Sequence, residues 1–473
     1  MVPRYDILLR QGVLVNPATG CEQVADLAVA GGRIAEIGPD LNPTRAREVL
    51  DVRGHAVVPG IIDLHMHAST WLGGRAGHKM MAEVGVTTAL DMSGPIDSVL
   101  SLARDHGAGL NIACIEAVRP GESVRDENPG AAELEQVLET ALAQGAIGVK
   151  ILGGHYPLTP MATARAIEAA NRRRAYVAFH AGSTERGSDI EGFLQAVELA
   201  GGGALHIAHV NSYCRGAVRP HMQETEEAIA ALTAHPNLRS ESYLSPWNGT
   251  SAKCGGGAPE SRVTRQCLVR GGFPPTEAGF EQAILHGWAQ INVEAGGRVV
   301  LETGPTAVAY WRGRQTDGTV SFCVNPPEPR LRLTTAKRTS GEFVVDCIST
   351  DGGGIPRNVI VEMGLALVKL QALSLTEFAR KTSYNPARIL GLTTKGYLAP
   401  GADADLTVLD VANQVAVLGM ANGAVIMHRG FVCGRGSRII TTAAGARAVR
   451  DRGLDPIVVD LAESAFYRAR PLS

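Results

Sequence analysis

From about Gly60 onward, short apolar runs of β-forming residues alternate with Ala-rich amphipathic stretches. This alternation constrains the fold more than any other feature of the chain. Strand-like runs fall at 61–65, 86–91, 110–118, 147–152, 175–180, 204–210, 240–244 and 344–350. Helix-like runs fall at 131–143, 161–173, 191–199, 225–233 and 358–370. Parallel neighbours need crossover connections, so repeated strand–helix units argue for a parallel sheet. Eight of them predict an α/β fold, a (β/α)8 TIM-like barrel whose core takes about 250 residues. The first 59 residues read differently, as β-rich runs at 6–15 and 26–37 broken by Asn16-Pro17 and Gly31-Gly32. Short strands return at 396–435. We therefore expect a small β-sandwich built from both chain ends, 1–59 and 396–440, around a barrel spanning 60–395. A tail at 441–473 would follow, ending in a short mixed helix at 461–470 that docks on a neighbouring copy in a homo-oligomer. Between the seventh and eighth strands lies a long excursion, 245–343, holding Trp247, Trp288 and Trp311. Loops of that length carry function or structure of their own. The tryptophans either wall a substrate pocket or bury the excursion on the barrel.

A chain of 473 residues suits one large barrel with an appended domain. Its 45% hydrophobic and 19% charged residues are a globular balance. A net charge of −2 gives no electrostatic case for nucleic acid or an acidic membrane surface. No apolar run is long enough to span a bilayer, and Met1 to Asp6 lacks the layout of a secretory signal. The eight cysteines have no framework spacing and no Cys-x-x-Cys pair, so a reduced, cytoplasmic protein is expected.

The chemistry begins at His65-Met66-His67, which closes the run Val-Val-Pro-Gly-Ile-Ile-Asp-Leu-His-Met-His. On a strand the side-chain period is two, so His65 and His67 point the same way. Two imidazoles at the end of an apolar strand suit zinc or a similar metal, or else are two hydrogen-bonded core histidines. Further candidate ligands end other predicted strands: His180, His209 and Asp351. Active sites of β/α barrels form at that C-terminal face. Lys150 lies inside an apolar strand, between Val149 and Ile151. Desolvation lowers the pKa of such an amine. It can then take up carbon dioxide as a carbamate, an anionic ligand able to bridge two metals, or it can pair with an acid such as Asp351. His206, three residues from His209, is expected to face the other side of the sheet as a core histidine. His78 is expected at the surface or in a loop.

These residues, in this order, resemble the amidohydrolase superfamily: Pro-Gly-Ile-Ile-Asp-Leu-His-Met-His, Lys150, His180, His209 and Asp351. Asn385-Pro386-Ala387-Arg388-Ile389-Leu390-Gly391-Leu392 and Gly401-Ala402-Asp403-Ala404-Asp405-Leu406 are similar to its return into the β-sandwich. The strand-four lysine, His209-Val-Asn-Ser and Glu241-Ser-Tyr-Leu resemble the hydantoinase, dihydropyrimidinase and dihydroorotase branch. Gly145-Ala-Ile-Gly, Tyr156-Pro157 and Asp351-Gly352 are similar to N-acyl-D-amino-acid deacylases. The metal-binding cysteine of those deacylases is absent from Asp91-Met-Ser-Gly, which leaves the bridging role to Lys150. His155 stands where hydantoinases carry a tyrosine, with Tyr156 beside it.

The resemblance implies hydrolysis of a non-peptide amide carbon–nitrogen bond, in a small cyclic amide or N-acyl amino acid, at two divalent metals, zinc foremost. His65 and His67 with Asp351 would bind the inner metal, His180 and His209 the outer one, and carbamylated Lys150 would bridge them. A water held between two cations ionises near neutral pH. Asp351 would take its proton and pass it to the leaving nitrogen. Tyr156 or His155 would supply the oxyanion donor, and Asn211 and Arg215 a grip on a substrate carboxylate. The alternatives are a deaminase of an aminated heterocycle and a non-catalytic hydantoinase-like scaffold. Deaminases run on one metal without the lysine, and a scaffold has lost ligands that this chain retains.

Overall fold

A computed structural model of the chain describes residues 4–68 and 74–468. The α/β class expected from the sequence is the class observed. The apolar runs after Gly60 form parallel strands in two arcs. One arc runs Cys347–Ser349, Leu238–Tyr243, Leu205–Ile207, Tyr176–His180, Gly148–Leu152, Glu116–Val118. The other runs Gly352–Gly353, Ile61–His67, Val86–Asp91, Ala108–Cys114, Gly436–Thr441, Asp455–Val458. The chain passes between arcs at residue 115 and again at 350–351, so both arcs share their third-strand and last-strand segments. Registers are in phase across each arc: Leu152 faces His180, Glu241 faces Cys347, and Met66 faces both Gly352 and Asp91. The in-phase registers bring the carboxyl ends of the strands together. Val, Ile and Leu from both arcs are buried beneath the helices, as a sheet covered on both faces requires.

Helices form where the Ala-rich periodicity predicts them: Ala131–Gln144, Pro160–Arg172, Ile190–Leu199, His221–Ala234 and Ile360–Lys369. Pro160–Arg172 starts on a Thr159 cap whose hydroxyl accepts from the Ala162 amide, and Ile190–Leu199 starts on Asp189 in the same way.

Both chain ends join in one sheet. Its order is Phe431–Val432, Ala424–His428, Val415–Ala421, Leu406–Asp410, Ala56–Pro59, Tyr5–Asn16, Cys21–Ala30, Arg33–Gly38, with Ala46–Asp51 also on Tyr5–Asn16. Its strand Ala56–Pro59 leads straight into the histidine strand through Gly60. A Cβ at Gly60 would meet Thr87 Oγ1 at 2.2 Å, so only glycine fits this passage.

Three expectations change. Gly436–Thr441, counted with the small sheet, instead lies parallel to Ala108–Cys114. A β-prone run does not state which sheet edge it joins. The segment expected at 461–470 as a helix for a neighbouring copy forms a 3-10 turn, Leu461–Glu463, and folds back on its own chain; residues 469 and 470 lie outside the described residues. Phe466 is buried and stacks on Tyr176 at 4.4 Å. Finally, the 245–343 excursion has its own fold. Trp247–Ser251, Thr319–Cys323, Ala289–Ala295 and Arg298–Glu302 form an antiparallel sheet, backed by Arg262–Arg270, Glu277–Leu285 and Gly304–Gly313. Trp311, Phe280 and Phe322 fill its core, so Trp311 holds the excursion together rather than lining a substrate pocket. Among the described residues no helix is long and apolar enough to cross a membrane.

Candidate metal centre

His65 and His67 emerge from one strand on one side, with their Nε2 atoms 3.2 Å apart. Asp351 Oδ1 lies 3.3 Å from His65 Nε2 and 3.1 Å from His67 Nε2. The Asp351 backbone is tied to the same strand, its amide donating to His65 O at 2.8 Å. Ligand atoms of the three side chains fall within 4.8 Å of one another. Lys150 Nζ is 2.9 Å from His65 Nε2. His180 Nδ1 and His209 Nε2 face each other at 3.0 Å, and the His209 ring stacks on His65 at 5.2 Å. The six predicted residues thus meet as two adjoining groups, one of four and one of two.

Electron-pair donors gathered this closely are able to hold a cation between them. Glu241 Oε1 accepts from His65 Nδ1 at 2.7 Å, which sets the tautomer and leaves the His65 Nε2 lone pair facing His67 and Asp351. All four histidines are held neutral, the form that ligates. Burial, then Lys150, depresses His65 well below the ordinary range and His67 to about 4. Burial and the neighbouring His209 hold His180 well below it, and burial takes His209 to about 3. A set of four imidazoles and a carboxylate suits zinc and similar divalent ions.

Lys150 is fully buried, and burial pushes its amine down to about 8 against the pull of Asp351 and Glu241. Asp351 pairs with Arg357 instead, whose Nη2 lies 2.7 Å from Asp351 Oδ2 and whose Nε donates to the Asp351 carbonyl. Burial alone would raise Asp351; Arg357 and the histidines outweigh it and hold the carboxyl well below the usual range. His209 and Asp351 both have left-handed backbones, at φ 34° and 50°. Such strain persists only where the surroundings enforce it. Gly154 borders His180 so closely that a Cβ there would sit 2.1 Å from Nε2.

Several residues with no role evident in the sequence complete the site. Glu241 is fully buried, and burial raises it to about 8. Arg357 is buried with Nη1 unpartnered and lies over the Tyr243 ring at 5.1 Å. Asp63 braces the strand end, accepting from the His65 amide at 2.9 Å and Thr350 Oγ1 at 2.6 Å. Ser188 meets His180 Nε2 at 2.8 Å. The available signal for Glu241 was its place in the run Glu241-Ser-Tyr-Leu; Arg357 had none.

His155 and Tyr156 follow Lys150 in an exposed turn at the mouth. The His155 ring lies 5.2 Å from that of His180, whereas Tyr156 sits under the Arg119 guanidinium at 5.5 Å. His155 is therefore the nearer of the two to the histidine pair. Asn211 is buried, its Oδ1 accepting from Ser242 Oγ and the Tyr243 amide at 3.1 Å each, which leaves Nδ2 unpartnered. Arg215 reaches Tyr243 Oη at 3.1 Å, Asn248 Oδ1 at 2.9 Å and Asn325 Oδ1 at 2.6 Å, joining the site wall to the excursion. His206 is a core histidine, bonded to Tyr176 Oη at 2.6 Å. It nevertheless faces the same interior as the site, with Nε2 3.9 Å from Glu241 Oε1. The strand ends at Ile207 and the backbone reverses at His209, so simple alternation does not reach that far. His78 is buried in Gly74–Glu83 rather than at the surface.

Residues 336–435 match the amidohydrolase family. Over its length the chain is similar to a dihydroorotase from Geobacter metallireducens, at 23% identity covering 86% of this chain and 90% of that one. An allantoinase from Rubrobacter xylanophilus is 29% identical, covering 87% of this chain and 86% of the allantoinase. Among solved structures, the N-acyl-D-glutamate deacylase from Bordetella bronchiseptica, complexed with zinc and a phosphonate mimic of the tetrahedral intermediate, superposes with a TM-score of 0.65. It is 18% identical, covering 92% of this chain and 99% of the deacylase. The fold is shared with that enzyme, and the relatives fall on both branches that the motifs resemble.

Proposed function

We propose that this chain, which carries an amidohydrolase family domain, is a metal-dependent hydrolase of a carbon–nitrogen bond other than a peptide bond, in a cyclic amide or an N-acyl amino acid. The observation that carries this reading is the meeting of His65, His67, Asp351 and Lys150 beside the His180–His209 pair. We take the arc strands between Ile61 and Gly353 as a closed (β/α)8 barrel over 60–395, extended at one edge by Gly436–Thr441 and Asp455–Val458, flanked by a β-domain from 1–59 and 396–435, with the excursion as an insertion at its mouth. Cytoplasmic residence fits eight free cysteines, and assembly as a homo-oligomer is part of the same proposal, although the tail expected to mediate it packs on its own chain.

In this reading His65, His67 and Asp351 would hold one divalent metal, zinc foremost, and His180 and His209 a second. Lys150, as a carbamate, would add an anionic oxygen ligand beside both groups. Bound metal supplies Lewis acidity and a water of lowered pKa. The remaining work belongs to side chains. Asp351 is kept ionised by Arg357, ready to accept a proton and return it to the departing nitrogen. His155, at the mouth, donates to the developing oxyanion, with Tyr156 as the second candidate. Asn211 Nδ2, unpartnered and buried, presents a donor to the substrate's carboxylate, and Arg215, whose Nε and Nη2 are held by Asn325, Tyr243 and Asn248, adds positive charge to that grip. The test is a panel of N-acyl amino acids, hydantoins, dihydropyrimidines and aryl amides offered to metal-loaded protein. Turnover of an amide is expected. Ammonia release from an aminated heterocycle, with no amide turned over, would overturn the proposal.

A further inference from the structure

One carboxylate oxygen serves both halves of the centre. Glu241 Oε1 accepts from His65 Nδ1 at 2.7 Å and from the His209 amide at 2.5 Å. His65 belongs to the group of four and His209 to the pair. Glu241 Oε2 accepts from Ser349 Oγ, on the strand that delivers Asp351. The carboxylate is fully buried in the strand Leu238–Tyr243; Ser349 lies on one neighbouring strand, His209 just past the end of the other, and His65 on a strand of the other arc. The contact to His209 has a particular consequence. That residue has φ 34°, a conformation disfavoured for a residue with a side chain, and its amide is anchored by Glu241.

We propose that Glu241 is a positioning residue that couples the two half-sites: it turns the His65 imidazole so that Nε2 is the free face and pins the His209 backbone so that its imidazole meets His180. Deleting it would loosen both groups at once, though it touches neither metal position. Partners that orient metal-binding histidines are worth about 10- to 100-fold in metal affinity. This inference rests on the metal-centre reading above.

The experiment is a calorimetric titration of metal-free protein with zinc, paired with the visible spectrum of the cobalt-loaded form. Wild type, Glu241→Ala and Glu241→Gln are compared. In Glu241→Ala the first and second binding steps should both weaken, by about 10- to 100-fold, and the cobalt bands should shift. Glu241→Gln keeps an oxygen at the same point and should recover most of the loss. Glu241→Asp, which retracts the oxygen by one carbon, replaces the alanine variant if that one does not fold, and should behave like it. Both steps unchanged in a folded alanine or aspartate variant, or only one step weakened, would overturn the coupling. Equal losses in glutamine and alanine would overturn it too, since charge rather than placement would then matter. Wild type that takes up no metal would instead sink the metal-centre reading.

Discussion

Lys150 carries the most demanding prediction, because its chemistry depends on burial. Its amine is pushed from the ordinary 10.5 down to about 8. At pH 7 an ordinary lysine leaves about one amine in three thousand unprotonated, against about one in ten for a pKa near 8, roughly a three-hundredfold gain. Only the free amine adds carbon dioxide. The direction follows: as pH falls below about 8 the amine protonates and carbamate formation slows. The protein is stripped of metal by chelation in a carbon-dioxide-free atmosphere. It is then reloaded with zinc, with and without bicarbonate, while metal content and amide hydrolysis are followed. At a fixed dissolved carbon dioxide concentration, the bicarbonate-dependent recovery rate should rise about tenfold from pH 6 to pH 7 and level off above pH 8. Lys150→Ala should ignore bicarbonate and regain metal and activity with formate or acetate. Full recovery of wild type without carbon dioxide, or a fully active Lys150→Ala without added carboxylate, would refute the argument.

Arg357→Met removes the ion pair that depresses Asp351, so the acidic limb of the pH–rate profile should move to higher pH; an unmoved limb would show that Asp351 does not set it. Replacing His155 with Gln should lower kcat by about 10²–10³ if it supplies the oxyanion donor, and Tyr156→Phe much less; the reverse order would assign the role to Tyr156. Phe466→Ala empties a buried position stacked on Tyr176 and should cost about 3–5 kcal/mol of unfolding free energy in urea titration, with kcat retained at 25 °C. Lys381 is pushed by burial down to about 7. The unfolded chain therefore binds the extra proton between that pH and the ordinary lysine range, and stability rises with pH across this window. Lys381→Met should reduce the rise to the share that Lys150 retains, seen as urea midpoints that climb less from pH 7 to pH 10 than those of the wild type.

Much of the framework was legible because hydrophobic periodicity reports local structure. The runs at 86–91 and 175–180 became strands almost residue for residue, and the Ala-rich stretches became helices. His65, His67, Lys150, His180, His209 and Asp351 were legible because each closes or occupies an apolar strand. What escaped was long-range. Glu241 earns its role from His65, 176 residues away, and no local pattern encodes that hydrogen bond. Arg357 lies in a loop without periodicity and acts only through Asp351. Leu205–Ile207 stops short of its predicted length because the backbone reverses at His209. The excursion gave no readable pattern, since its short strands pair only with one another.

The central claim is that the histidine–aspartate–lysine cluster binds metal to hydrolyse an amide bond. Its most direct test is metal content and amide hydrolysis measured on one sample as zinc is removed and restored. The account predicts that activity disappears with the metal and returns with it, and that His67→Ala neither holds zinc tightly nor recovers. Undiminished amide hydrolysis by fully stripped protein would contradict it.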